Sequence, residues 1–208
     1  MTVAAAIIAG GRATRMGETG APKGLLSVDG RRIIDRQLEV LRPLFSEVIV
    51  VANESTSTST PVPSPWRALG LRIVADRVGG GIGPLAGLDA ALAALPDDAT
   101  AVVCVAGDMP FLDAAVLCWL RDAAPAALAV APRLGGRPEP LLARYARAAA
   151  PVVRQQITRG AYALTELLAL LSPHWLDEPQ LRALDPELRT LLNINTPSDL
   201  ARLNGAQP

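Results

Sequence analysis

Val3-Ala4-Ala5-Ala6-Ile7-Ile8-Ala9-Gly10-Gly11-Arg12-Ala13-Thr14-Arg15-Met16-Gly17 is the stretch on which the reading of the fold turns. Its first six residues are a continuous apolar run closed by glycines, the pattern of a buried strand. The glycines let the backbone turn tightly and bring bare N–H groups against a ligand, which a Cβ would obstruct. Arg12, Arg15 and, further on, Lys23 bring three cations to a segment with one acid, Glu18. N–H groups and cations together suit a polyphosphate. The spacing is neither a Walker loop nor Gly-x-Gly-x-x-Gly, so neither of those two phosphate sites is implied.

Working outward, the same alternation recurs. Ile33, Ile34, Leu38 and Leu41 fall at helical spacing, with Pro43 closing the helix or opening a second turn. Glu47–Val51 reads as the second buried strand and Leu71–Ala75 as the third, with Asp76 at its end. Between them, the Ser/Thr/Pro-rich residues 55–65 have no periodicity and read as a surface excursion. A second glycine-rich loop, Gly79 to Gly83, delivers Pro84 to the first position of a helix, where a missing N–H is no loss.

Ala101–Ala106 is the clearest interior strand, and Gly107-Asp108-Met109-Pro110-Phe111-Leu112 follows it directly. A carboxylate just past a buried strand lies where open α/β sheets place their ligands. Asp108 therefore reads as a Mg²⁺ ligand, because one carboxylate plus substrate phosphates is a common way to hold that ion. Asp113 reads as the cap of the next helix. Leu128–Ala131 forms a fifth strand, followed by a loop through Gly135-Gly136-Arg137-Pro138-Glu139-Pro140. Residues 161–171 read as a helix, and Leu191–Asn195 as a last strand or extended segment. Thr196 and Pro197 then open a closing helix with Leu200 and Leu203 inward. Cys104 reads as core, and His174 as a loop histidine without a role. Strands alternate with helices throughout, which predicts an α/β fold with a mostly parallel sheet.

The 208 residues fit a single domain, residues 1–208, with 50% hydrophobic content and only 3% aromatics. Twenty basic and twenty acidic residues balance, so nothing electrostatic favours a nucleic-acid partner. No run is long and apolar enough for a membrane span, and the start carries no basic leader, so the expected compartment is the cytoplasm. Two cysteines give neither a disulfide framework nor a metal pair.

Taken in order, these segments resemble a known family. Ile8-Ala9-Gly10-Gly11-x-x-x-Arg15-Met16-Gly17 with Lys23 is similar to the signature loop of nucleotidyltransferases with a glycosyltransferase-A-like fold. Gly83–Leu88, Asp108–Leu112 and Asn193-Ile194-Asn195-Thr196-Pro197 narrow the match to molybdenum cofactor guanylyltransferases, over about Val3 to Leu203. The resemblance implies a Rossmann-like three-layer α/β/α sandwich and a nucleotidyl transfer from GTP to molybdopterin with release of pyrophosphate. It implies nucleotide binding by Ile8, Ala9, Gly10, Gly11, Lys23, Val51, Asp76 and Asp108, with Mg²⁺ on Asp108. Lys23, Arg15 and Asp108 would be catalytic, and Asn193 and Asn195 would face the acceptor. Transient partners in molybdenum cofactor delivery are implied as well.

The chain departs from that pattern in places. Pro22 precedes the lysine where the family has an acid, the first loop is longer by a residue, and Val51 stands at a polar position with Asn53 two residues on. Ala21-Pro22-Lys23-Gly24 is closer to cytidylyltransferases, which keeps CTP open as the donor. Other open readings are transfer to a sugar or alcohol phosphate, and a non-catalytic nucleotide-binding module. No nucleophile–base constellation is present, in keeping with phosphoryl-type transfer, which needs alignment and charge neutralisation more than a covalent nucleophile.

Overall fold

The computed structural model of the chain describes residues 2–9, 23–52, 66–77 and 82–205. Gly10, Gly11, Arg12, Arg15, Asn53, residues 55–65 and the glycines 79–81 lie outside them. Strand β1 (Thr2–Ile8) is the axis. It pairs in parallel with β4 (Val48–Val51) on one side and with β6 (Ala99–Ala106) on the other. β5 (Arg72–Val74) extends the sheet beyond β4, also in parallel. Beyond β6 comes β9 (Leu142–Ala146), antiparallel to both its neighbours, then β7 (Ala129–Leu134) and β10 (His174–Asp177). The order across the sheet is β10-β7-β9-β6-β1-β4-β5, with the two-residue β8 (Arg137–Pro138) folded back on β7. The parallel alternation expected from the sequence is therefore present, with β9 as the reversed strand.

Period-two alternation along β1 feeds two cores. Ala4, Ala6 and Ile8 face a cluster with Leu85, Leu88, Val153 and Leu168, carried by α2 (Pro84–Ala93), α4 (Ala150–Thr158) and α5 (Leu164–Leu171). Val3, Ala5 and Ile7 face the other, with Ile34, Leu38, Leu117 and Leu181 from α1 (Ile33–Leu44), α3 (Ala114–Asp122) and α6 (Glu178–Leu184). Burial on both faces explains why β1 reads as an unbroken apolar run rather than an alternating one. The result is three layers, α/β/α. A third, small cluster of Val28, Ile33 and Ile194 joins the hairpin β2 (Ser27–Val28)–β3 (Arg31–Arg32) to the closing helix α7 (Pro197–Gly205).

The local signals act as read in several places. Asp113 caps α3, its carboxylate accepting the N–H groups of Ala115 and Val116 at 2.8 and 3.0 Å. Pro84 stands at the start of α2 after Gly83, whose φ of 82° suits a residue without Cβ. Cys104 is fully buried, and desolvation pushes its thiol up to about 12.

Two readings change and one left open is decided. Of the two readings of Leu191–Asn195, strand or extended segment, the strand is absent: Leu191 closes a 3₁₀ turn that opens at Arg189, and the Ile194 N–H donates to the Asp108 carbonyl at 3.0 Å. Leu192 and Ile194, interleaved with Asn193 and Asn195, mimic strand alternation, but Ile194 is a wedge under the hairpin rather than a sheet residue. His174 is not in a loop: it opens the edge strand β10 and stacks on Trp119, with ring centroids 5.5 Å apart. Pro43 lies inside the last turn of α1, which ends one residue later.

Candidate active site

The carboxyl ends of the parallel strands are laced into one row. The Ala52 N–H donates to Val74 O at 3.0 Å, Ala9 N–H to Val51 O at 2.8 Å, and Gly107 N–H to Ile8 O at 3.0 Å. Continuing along the row, the Ala106 N–H donates to Leu141 O at 2.9 Å. The β1 and β6 ends meet most closely. A Cβ on Gly107 would stand 3.2 Å from Ala9 Cα and 3.3 Å from Ile8 O, closer than ordinary contact to backbone that cannot yield cheaply. Gly107 is thus required by approach, not by φ.

That contact places the charged residues. Lys23 opens a 3₁₀ turn, Lys23–Leu25, in which the Leu26 N–H returns to Lys23 O at 3.0 Å. The next residue, Gly24, presses on the same spot: a Cβ there would lie 3.0 Å from the buried Trp66 ring and 3.2 Å from Gly107 O. Two glycines from distant segments therefore stack, and Lys23 and Asp108, each beside one of them, are brought together. The Lys23 ammonium donates to Asp108 Oδ2 at 2.9 Å and to Asn195 Oδ1 at 2.9 Å. Both ion-pair side chains keep 18% exposure, enough to be reached by a ligand.

Asn195 is held from behind. Asp199 Oδ2 accepts the N–H groups of Asn195 and Thr196 at 3.0 and 2.9 Å, and the Asp199 N–H donates back to Thr196 Oγ1 at 3.1 Å, a reciprocal cap of α7. Those donors hold the Asp199 carboxyl below the usual carboxylate range, the Asn195 N–H contributing most. Asn193 is half-buried, and its Oδ1 is out of water without a hydrogen-bond partner.

The residues named from the sequence thus divide. Lys23, Asp108 and Asn195 meet, Asn193 is adjacent in the chain, and Ile8 and Ala9 form the strand end beside them. Asp76 stands past β5, three strands from β6, or about 14 Å along the row at the usual strand spacing. Val51 is 1% exposed; its side chain belongs to the core and its carbonyl is taken by Ala9, so it lies beneath the row. Gly10, Gly11 and Arg15 lie outside the described residues.

Two residues that the sequence reading passed over support the site. Gln37, fully buried in α1, donates from Nε2 to Ala106 O at 2.8 Å and Met109 O at 3.0 Å, fixing the turn that carries Asp108. Its signal was a polar residue on the apolar stripe of Ile33, Ile34, Leu38 and Leu41. Trp66, against Gly24, carried no signal of position.

A glycine-lined strand end, one lysine, one carboxylate and amide oxygens, with no nucleophile–base pair among the described residues, make a frame for handling phosphate chains at the edge of an open α/β sheet. The chain belongs to the MobA-like NTP transferase domain family, whose model matches residues 5–174, and is a nucleotidyltransferase. The Chloroflexus aggregans protein named "Probable molybdenum cofactor guanylyltransferase" is 35% identical, with 96% of this chain and 92% of that one covered. The molybdenum cofactor guanylyltransferase of Desulfosudis oleivorans is 30% identical over 96% of this chain and 93% of its own. Among solved structures, molybdopterin-guanine dinucleotide biosynthesis protein A from Archaeoglobus fulgidus superposes with a TM-score of 0.76 at 28% identity, covering 97% of both chains. No helix among the described residues is long and apolar enough to cross a membrane.

Proposed function

We propose that this chain, acting as one domain, transfers GMP from GTP to molybdopterin and releases pyrophosphate. The observation that carries the reading is the convergence of Lys23, Asp108 and Asn195 from three remote segments at the β1–β6 edge. The 30–35% identity to guanylyltransferases over nearly the whole chain supports the acceptor and the base. In the reaction, an oxygen of the acceptor's terminal phosphate forms a bond to the α-phosphorus of GTP. The bond from that phosphorus to the bridging oxygen breaks, and the electron pair leaves with pyrophosphate. The acceptor phosphate is already ionised at neutral pH, so no general base is required.

The chain's own groups supply alignment and charge. Lys23, a compact and mobile ammonium, neutralises the departing pyrophosphate, with Arg15 assisting from the glycine-rich loop. Ile8 and Ala9 border the nucleotide at the strand end, their N–H groups committed to the sheet, and the glycines Gly10 and Gly11 that follow hold the phosphate chain through main-chain N–H groups. Asp76 reads the base from the far end of the row, and Val51 shapes its floor. Asn193 and Asn195 face the acceptor. No group of three His, Cys, Asp or Glu side chains is clustered among the described residues, so a divalent cation fits here only as a shared ligand of one carboxylate and the substrate phosphates. Asp108, hard and partly exposed, is the residue that would hold Mg²⁺, with Asn195 Oδ1 a second oxygen close by. When bound, that ion would withdraw charge from the phosphate oxygens.

The test is incubation with molybdopterin and Mg²⁺ plus each nucleoside triphosphate in turn, with the product identified by mass. Guanine dinucleotide formation from GTP alone is the expected result. Because Pro22 replaces the acid that precedes the lysine in the family, a cytosine dinucleotide is the specific alternative outcome. Binding of GTP with no pyrophosphate from any acceptor would overturn catalysis altogether.

A further inference from the structure

Beyond Asp108 the sheet edge continues over β9 and β7, and one acid stands there that the transfer chemistry does not use. Glu139 lies between Pro138 and Pro140 where the chain passes from β8 to β9. Its N–H donates to Pro132 O at 3.0 Å and its carbonyl accepts the Leu142 N–H at 3.1 Å, so the main chain is clamped to both strands. Two residues on, Leu141 O receives the Ala106 N–H, which ties this corner to the turn bearing Asp108.

The side chain is half-buried and has no hydrogen bond or ion pair with any described residue. Burial pushes its carboxyl above the ordinary range, with no donor or cation among the described residues to offset it. Asp113 is matched by the α3 N–H groups, Asp185 by the Thr190 N–H and Asp108 by Lys23, and the buried Asp89 has the Arg77 guanidinium at 3.7 Å. Arg133, in the adjoining strand, is engaged by Asp177 and the Trp175 ring. An acid held in place, partly desolvated and without a partner among the described residues has a cost that a ligand's donors would remove.

The sign of the charge says which part of a ligand comes here. Phosphates gather at Lys23 and are repelled by an unpaired carboxylate, so Glu139 faces the end of the acceptor remote from its phosphate. At one to two strand spacings from β6, it stands about 5–10 Å to the side, comparable to the length of a fused tricyclic ring system. A 2-amino-4-oxopteridine presents a ring N–H and an amino N–H side by side, which match the two oxygens of one carboxylate. We propose that Glu139 is the acceptor-specificity residue, its carboxylate taking paired hydrogen bonds from the amino-pyrimidinone edge of the pterin. This rests on the molybdopterin reading above.

The test measures steady-state pyrophosphate release while molybdopterin and GTP are varied separately, for the wild-type protein, Glu139→Gln and Glu139→Ala. A simple pterin without a phosphate-bearing side chain serves as competing probe. Glu139→Ala is expected to raise the KM for molybdopterin by about 10- to 100-fold, the scale of losing charge-assisted hydrogen bonds. The KM for GTP stays unchanged and inhibition by the pterin is lost. Glu139→Gln, keeping one acceptor oxygen, falls between. An unchanged acceptor KM with intact pterin inhibition, or an equal rise in both KM values, overturns the assignment. A wild-type protein that binds GTP but makes no product with molybdopterin overturns the functional reading instead.

Discussion

A single ion pair shows how sharply the chemistry is concentrated. Lys23 and Asp108 are each other's partner at 2.9 Å, and under the proposed function each would be claimed by a metal–triphosphate complex, so substrate would compete for both charges at once. Lys23→Ala and Asp108→Asn are each expected to lower kcat/KM by at least about 10²-fold, the scale of losing one electrostatic stabiliser, read as pyrophosphate release. Lys23→Arg should also be poorly tolerated, since a planar fork does not fill the space of an ammonium wedged between a carboxylate and the Asn195 amide. Near-normal release from either neutral variant would remove the pair from the reaction. Glu139 gives a pH signature of opposite kind. Its folded-state carboxyl lies above the ordinary value, so the folded protein keeps the proton to higher pH than the unfolded chain. Stability contributed this way is greatest in acid and falls as pH rises through the window between the two values. Glu139→Gln should therefore raise Tm at neutral pH and flatten that fall, as a functional group held at a structural cost would.

At the scale of elements, the site depends on how closely two strand ends and one helix approach. Gly107 admits Ala9 and Ile8, and Gly87 of α2 admits Ile8, since a Cβ there would be 2.9 Å from Ile8 Cγ2. Gly107→Ala and Gly87→Ala are each expected to destabilise the protein by about 1–3 kcal/mol through overpacking, seen as a lower urea midpoint. They differ in consequence. Gly107→Ala pushes backbone against backbone beside Asp108 and should depress kcat as well, whereas Gly87→Ala meets a side chain that can turn and should leave kcat nearly intact. Gln37 belongs to the same scale, because one buried amide holds the Ala106 and Met109 carbonyls and so sets the angle at which Asp108 leaves β6.

For the whole molecule, a bound nucleotide should act as a stabiliser. GTP with Mg²⁺ at about 100 times its Kd contributes about 2.7 kcal/mol, or a Tm rise of roughly 5–10 °C for a chain of this size. CTP, ATP and UTP should give less, and Lys23→Ala should lose most of the rise; equal protection by all four would deny the base preference. Much of the molecule was readable in the sequence because the deciding signals were local: apolar runs for β1, β4 and β6, Asp113 and Pro84 for helix starts, Gly107-Asp108 for a carboxylate at a strand end. The reversal of β9 was not, since direction in a sheet depends on partners rather than on the strand's own residues, and Pro138 and Pro140 resemble a loop. Leu191–Asn195 stayed open between strand and extended segment for a related reason, alternation without a ladder. Glu139 was visible only as part of a loop, because what marks it is the lack of a partner among the described residues, and partners are a property of the fold. The contacts of Lys23 carry one more consequence. They close chain separations of 85 and 172 residues, and such closures follow the local ones when a chain folds. The sheet and its helices can form before the last segment arrives, but Asn195 cannot reach the lysine until it does. An unfinished chain would therefore have its layers and no working centre, which makes catalytic competence a late checkpoint on folding.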